Sequence, residues 1–140
     1  HVFERSVAHF ADSPCLGTRD DGGVYAWHTY ADVAARVAAL GGALGALGYA
    51  RGTSVGVFSR NRREWTWAEL ACYRNDLVPV SIYETLGADS VRYVAHHAEC
   101  RVLFVGRHKL RAAADAVAAG LPHLEHVVLF DDVDAMRTDD

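Results

Sequence analysis

Leu77-Val78-Pro79-Val80-Ser81-Ile82-Tyr83-Glu84-Thr85-Leu86-Gly87 is the stretch on which the fold turns. Its first six residues form a short apolar run, predicted to be a strand buried on both faces. Tyr83 to Gly87 then make a turn, with Glu84 or Thr85 available to cap the free N–H groups of a following helix. That helix is predicted over Ala88–Ala98, with Val91, Val94 and Ala95 facing inward. Upstream, Ser54–Ser59 is a second apolar strand after a turn containing Gly52, and Asn61 is placed to cap a helix running through about Tyr73. Downstream come a strand at Arg101–Val105, an Ala-rich helix at Lys109–Ala119 and a strand at His126–Phe130. Strand and helix alternate with short loops, which calls for a parallel sheet covered by helices and joined by right-handed crossovers.

The residues before Ser54 read differently. Val2–Ala11 has the spacing of a short amphipathic helix, ended by Asp12-Ser13-Pro14 because the residue before proline is pushed out of the helical region. Cys15–Thr18 and Val24–His28 are predicted strands of a hairpin, with Arg19-Asp20-Asp21-Gly22-Gly23 as its turn. Thr29 is a good N-cap and Asp32, three residues on, completes a capping box with a shorter acid than usual. Val33, Val37, Leu40, Leu44 and Leu47 then step along one stripe of a long helix that Gly48 ends. Gly41, Gly42 and Gly45 lie inside that running helix, so they point to close helix packing rather than to a dinucleotide fingerprint. The predicted class is α/β: a mostly parallel sheet with helices on both faces, preceded by a short helix and a β-hairpin.

The chain has 140 residues and a formal charge of -4, which gives no support for nucleic-acid binding. Its longest uncharged apolar run, Val37–Ala50, has 14 residues, short of the roughly 20 that a membrane span needs. Cys15, Cys72 and Cys100 are far apart and form no C-x-x-C pair, so reduced thiols are expected and a zinc ribbon is not. His96 and His97 point to different helix faces, and His123 and His126 flank a loop; metal binding is not expected of either group. Asp20-Asp21 and Asp131-Asp132-Asp134 read as solvated charges. Ser54, Ser59 and Ser81 sit in no nucleophile-elbow context. Trp65, Ala68, Ala71 and Cys72 form the middle of an apolar arc with Trp67 on its flank, while Tyr73 falls beside Glu69 with its hydroxyl in water.

Four blocks, in order, resemble the long-chain fatty acyl-CoA synthetases of the adenylate-forming enzyme superfamily. Tyr25-Ala26-Trp27-His28-Thr29-Tyr30-Ala31-Asp32-Val33 resembles the first core motif of adenylate-forming enzymes. Asn61-Arg62-Arg63-Glu64-Trp65 resembles the Asn-Arg-x-Glu-Trp block of the long-chain members. Ala71–Val80 resembles the second core motif, and Tyr83-Glu84-Thr85-Leu86-Gly87 resembles their Tyr-Asp-Thr-Leu-Gly block, with Glu84 departing in length but not in charge.

The resemblance implies a parent enzyme that activates a long-chain fatty acid with ATP and Mg²⁺ to an acyl-adenylate, then transfers the acyl group to coenzyme A. It also implies a parent that is cytoplasmic or peripheral on a membrane such as the endoplasmic reticulum. The family's Ser/Thr/Gly-rich phosphate loop ending in Pro-Lys-Gly does not occur here, and Lys109, the single lysine, matches no catalytic motif. The expectation is therefore a partial N-terminal subdomain: 1–53 the leading helix, hairpin and long helix; 54–131 the alternating region; 132–140 an acidic tail without order. No catalytic, cofactor-binding or metal-binding residue is expected among residues 1–140, which alone should form no acyl-adenylate. Trp65, Tyr73, Tyr83, Glu84, Thr85, Leu86 and Gly87 are the signature positions expected to shape the wall or rim of an acyl channel completed by the rest of the synthetase domain. Apolar surface left for that remainder to cover would favour self-association. Two other readings stand beside this one: an adenylate-forming ligase for a shorter or aromatic acid, and a non-catalytic α/β binding or dimerisation module.

Overall fold

The computed structural model describes residues 2–20 and 22–131. The predicted tail 132–140 and Asp21 of the predicted turn lie outside the described residues. The chain begins with helix α1 (Val2–Phe10), strands β1 (Pro14–Arg19) and β2 (Tyr25–Thr29), and the long helix α2 (Tyr30–Ala46). The alternating part follows as β3 (Ser54–Phe58), α3 (Arg63–Arg74), β4 (Val78–Ile82), α4 (Ala88–His97), β5 (Val102–Val105), a 3₁₀ turn at Arg107–Lys109, α5 (Leu110–Ala118) and β6 (His126–Leu129).

Strands β1 and β2 pair antiparallel as a two-stranded ribbon. Its turn is held by Val24 N–H donating to Asp20 Oδ1 at 2.8 Å, with Gly23 at φ +85°, where glycine carries no Cβ penalty. Strand β2 runs straight into α2 through the predicted capping box: Asp32 N–H donates to Thr29 Oγ1, and Thr29 N–H donates back to the Asp32 carboxylate.

The main sheet is four-stranded and wholly parallel, in the order β4-β3-β5-β6. Residues alternate between its faces. Val55, Val57, Val102 and Phe104 join Leu44, Ala68, Ala71 and Cys72, so α2 and α3 cover one face. Phe58, Ile82, Leu103 and Val105 join Val91, Ala95, Ala113 and Ala116, so α4 and α5 cover the other. The expected helices on both faces are present. Asn75 fastens α2 to α3: its Nδ2 donates to Gly41 O and Ala71 O, each at 2.9 Å. A Cβ on Gly41 or Gly45 would fall 3.0–3.3 Å from atoms of Arg74 or Asn75, whereas Gly42 has nothing within 4 Å. Close packing therefore accounts for two of the three helix glycines.

Several local expectations are corrected. β4 is an edge strand rather than one buried on both faces: Val78 is 46% exposed, and only Ile82 of its five residues is buried. The apolar run signalled a strand, but strand order decides which face is covered. Arg62, not Asn61, is the N-cap of α3 and makes no side-chain cap. Gly87 is the N-cap of α4, again without a side-chain cap, because Glu84 faces His108 instead. Lys109 belongs to the 3₁₀ turn before α5 rather than to the helix proper.

Candidate functional site

The chain leaves β3 through α3 to reach β4 at one edge, and then returns through α4 past β3 to β5. From there α5 carries it outward to β6. The direction of winding thus reverses between β3 and β5. In open α/β sheets, ligands bind outside the carboxyl ends of the strands at such a reversal. Here that position is a crevice of about 430 Å³ lined by Arg60, Arg62, Arg107, His108 and Asp131. Each residue is delivered by a strand end: Arg60 and Arg62 follow β3, Arg107 and His108 follow β5, and Asp131 follows β6.

Asp131 organises the crevice. It accepts from Arg62 Nη1 at 2.8 and 3.1 Å and from the Arg107 backbone N–H at 2.7 Å. Burial opposes its ionisation, but those hydrogen bonds and the Arg62 charge prevail and hold its pKa below the ordinary aspartate value. Arg62 also donates to Glu64 at 2.6 Å, and Arg63 donates to the other Glu64 oxygen at 2.8 Å. Burial again works against the Glu64 charge, and the two arginines outweigh it, so its pKa is lowered. The Arg62 guanidinium lies over the Phe130 ring, which itself stacks on Phe104 in the core. Arg62 is therefore a rigid strut. Arg60, by contrast, is exposed and makes no hydrogen bond or ion pair to a described residue.

Packing beside the crevice is tight. Gly106 N–H donates to Phe58 O, and a Cβ at Gly106 would come within 2.6 Å of Ser59 Oγ and 2.9 Å of the His108 ring. Ser59 is 6% exposed, and its hydroxyl has no hydrogen-bond partner among the described residues. Above it, His108 Nε2 meets Glu84 Oε2 at 3.1 Å, tying the Tyr83–Gly87 turn to the end of β5. A second, larger depression of about 790 Å³ shares Arg60 and Arg62 and runs past Arg63 to Arg19 on the hairpin. Arginine side chains thus extend from the hairpin across the start of α3 to β5, with Glu64 and Asp131 paired among them.

The signature positions disperse in this part of the protein. Trp65 packs against the α2/α3 side of the core and borders the hairpin depression. Tyr73 donates to Glu69 at 3.1 Å and borders a different groove beside α1. Tyr83 is 75% exposed, Thr85 is exposed, Leu86 packs on the α4/α5 side of the core, and Glu84 alone joins the crevice through His108. Asp131 is corrected: it is a paired, half-buried carboxylate, not a solvated one, and Asp132 and Asp134 lie outside the described residues. His96 stacks on His123 and His97 on Tyr93, and no group of three or more His, Cys, Asp or Glu gathers as a metal site among the described residues. The three cysteines are free, with Cys72 and Cys100 buried; burial pushes the Cys72 thiol up to about 12 and the Cys100 thiol to about 11.

Reasoning from sequence missed Arg60, Arg62, Arg107, His108 and Asp131 as a set. Each lies just past the end of a predicted strand, which is the one signal that could have gathered them.

The crevice sits at the reversal of a parallel sheet, and the comparisons with known proteins name the family. The description "AMP-binding enzyme" matches residues 3–140, and the chain belongs to the AMP-binding enzyme family. It is 36% identical over 137 residues to long-chain-fatty-acid–CoA ligase 5 of Rattus norvegicus, a match covering 95% of this chain and 20% of that protein. Among solved structures, it superposes on acetoacetyl-CoA synthetase from Streptomyces lividans with a TM-score of 0.84 at 26% identity, over 91% of this chain and 21% of the other. An anthranilate CoA ligase in complex with anthranoyl-AMP gives 0.83 at 26% identity, over 92% and 24%. The chain spans about a fifth of the length of the curated relatives it matches.

Proposed function

We propose that these residues are part of a long-chain fatty-acid–CoA ligase, and that their contribution to it is to receive the phosphate groups of a nucleotide cosubstrate in the Arg60–Arg107–His108 crevice. In the reaction so proposed, a fatty acid attacks ATP to give acyl-adenylate and pyrophosphate, and the thiol of coenzyme A then displaces AMP. Both cosubstrates are polyanions. The observation that carries the reading is the pairing of a fixed cation with an uncommitted one at the winding reversal. Arg62 is locked by Asp131 and Glu64, while Arg60 stands exposed beside it. A guanidinium presents several N–H donors in a fixed plane, which suits phosphate oxygens.

The described residues do not fit a Mg²⁺ site. Such a site wants carboxylate oxygens in open octahedral array, and both Asp131 oxygens are already engaged by Arg62 and Arg107. The chemistry that needs the metal, a phosphate loop and a catalytic lysine is assigned to residues other than these. Residues 1–140 alone are accordingly proposed to catalyse no acyl-adenylate formation. Tyr83 and Thr85, exposed in the turn that Glu84 ties to His108, are proposed to help wall the acyl and nucleotide pocket of the whole enzyme, with Trp65, Tyr73, Leu86 and Gly87 supporting that wall.

The test is a titration of the 140-residue chain with pyrophosphate, followed by amide NMR. Saturable shifts at Arg60, Arg107 and His108, weakened at least threefold by Arg60→Glu and by raised salt, are expected. Shifts spread evenly over the surface, or binding unchanged by Arg60→Glu, would refute the crevice. Fatty-acid-dependent pyrophosphate release by the same chain would refute the assignment of chemistry elsewhere.

A further inference from the structure

Strand β1 pairs with β2 along one edge, and its other edge joins no strand among the described residues. At the hairpin end Asp20 N–H donates to Val24 O at 2.9 Å, which fixes the alternation along the ladder. Counting back from that pair, Thr18 and Leu16 direct their backbone groups to Ala26 and His28. Gly17 and Arg19 turn theirs the other way. Their N–H and C=O groups face outward and have no hydrogen-bond partner among the described residues. The hairpin depression runs along this free edge. Leu16, Gly17, Thr18 and Arg19 all line it, and no residue of β2 does. Successive strand residues point to opposite faces, so a cavity touching all four lies beside the strand rather than above or below it. Four strand residues measure about 13 Å, and the slot is closed on its far side by Arg60 and by Trp65 of α3.

Charge in the slot is not balanced. Arg62 and Arg63 share Glu64, and Arg62 also holds Asp131. Arg19 and Arg60 are both exposed and ion-pair with no described residue; Arg19 donates only to Gly23 O, at 3.3 Å. Asp20, the carboxylate next to Arg19 in sequence, accepts from Val24 N–H in the turn and does not line the slot. Two guanidiniums therefore stay uncompensated, one on the unpaired strand and one across from it.

We propose that β1 accepts an acidic, extended segment of a partner protein as a third strand, its backbone pairing with Gly17 and Arg19 and its carboxylates meeting Arg19 and Arg60. Charge complementarity selects this occupant. A second copy pairing through its own β1 would bring the unpaired arginines of two chains together. Nucleic acid has no backbone able to extend a β-ladder, and a lipid surface does not enter a slot beside a strand. The site shares Arg60 with the phosphate crevice but does not rest on the ligase reading.

The experiment titrates the 140-residue chain with a capped octapeptide alternating threonine and glutamate, against its threonine–lysine counterpart, and follows amide hydrogen exchange by NMR. Without peptide, the Gly17 and Arg19 amides should exchange faster than that of Thr18, which is bonded to β2. The glutamate peptide should slow exchange at Gly17 and Arg19 and leave Thr18 unchanged; the lysine peptide should do neither. Arg19→Gln and Arg60→Gln should each weaken the glutamate peptide about two- to fivefold, the range of an exposed ion pair. Both positions are exposed, so neither substitution disturbs the core. Arg19→Gln should leave the pyrophosphate titration unchanged, so failure of this site is told apart from failure of the phosphate crevice. The proposal is overturned if the lysine peptide binds as well as the glutamate peptide, or if the protection falls on β2 or β4 instead. It is equally overturned if neither arginine substitution weakens binding, or if sedimentation shows a dimer in which a second copy already protects Gly17 and Arg19.

Discussion

Gly106→Ala tests the packing beside the crevice. The backbone there has φ -75° and ψ 144°, ordinary for any residue, so the substitution introduces no backbone strain. Its whole effect is steric: the new methyl would lie 2.6 Å from Ser59 Oγ and 2.9 Å from the His108 ring. His108 can swing outward, losing its half-exposed contact with Glu84, which is worth under about 1 kcal/mol. Ser59 cannot yield so easily, because it is buried against the sheet. Overpacking of this kind costs about 1–3 kcal/mol.

Ser59→Ala should act in the opposite direction. It removes a buried hydroxyl that has no partner among the described residues, and so should stabilise by about 1 kcal/mol. In that background the closest clash is gone, and Gly106→Ala should cost less than about 1 kcal/mol. The coupling between the two sites is then favourable to the double variant and reaches up to about 2–3 kcal/mol. Urea unfolding of the four proteins measures it directly, and thermal midpoints should follow at about 3–4 °C per kcal/mol. A Gly106→Ala cost that is equal in both backgrounds, or absent in the natural one, would refute the claim that Ser59 and Gly106 pack tightly together.

Asn75 offers a second handle on stability. Asn75→Ala should lower it by about 1–2 kcal/mol through loss of the donors to Gly41 O and Ala71 O, and Asn75→Asp should lower it further by setting a carboxylate against two carbonyls; urea midpoints ranked otherwise would contradict the α2–α3 clasp. Acid should unfold the protein through Asp131 and Glu64. Their folded pKa values are depressed, so the stability they contribute is present above the ordinary carboxylate range, about 4, and is lost as pH falls through the folded values. Urea midpoints should be insensitive to these groups between pH 7 and 5 and fall below about pH 4.5, with a shallower fall in Asp131→Asn. An identical acid profile for that variant would count against the Arg62–Asp131 strut.

Much of the architecture could be read from the chain because its causes are local. Thr29 and Asp32 lie three residues apart and cap α2 from within their own turn, and the glycines at 23, 48 and 52 take the positive φ angles that end elements or turn the chain. The alternation from Ser54 onward required parallel strands, since short loops and intervening helices leave no other pairing, and the arc of Ala68, Ala71 and Cys72 named the buried side of α3. The signature blocks, Tyr83–Gly87 among them, were enough to place the chain in its family.

Strand order was not legible, and most of what was missed follows from it. An apolar hexapeptide signals a strand equally well at the centre or the edge of a sheet; only the order β4-β3-β5-β6 leaves Val78 in water and makes β3 the point of reversal. The crevice is decided at the same level. Arg62 and Asp131 are 69 positions apart and meet because β3, β5 and β6 end side by side in register. Asp131 in sequence looks like one more charge of an acidic tail, and its paired state exists only once three strand ends converge. Local spacing and capping therefore determined which elements form and who their relatives are. The juxtaposition of strand ends, a long-range consequence of sheet topology, alone decided where the cations gather and which of them are paired.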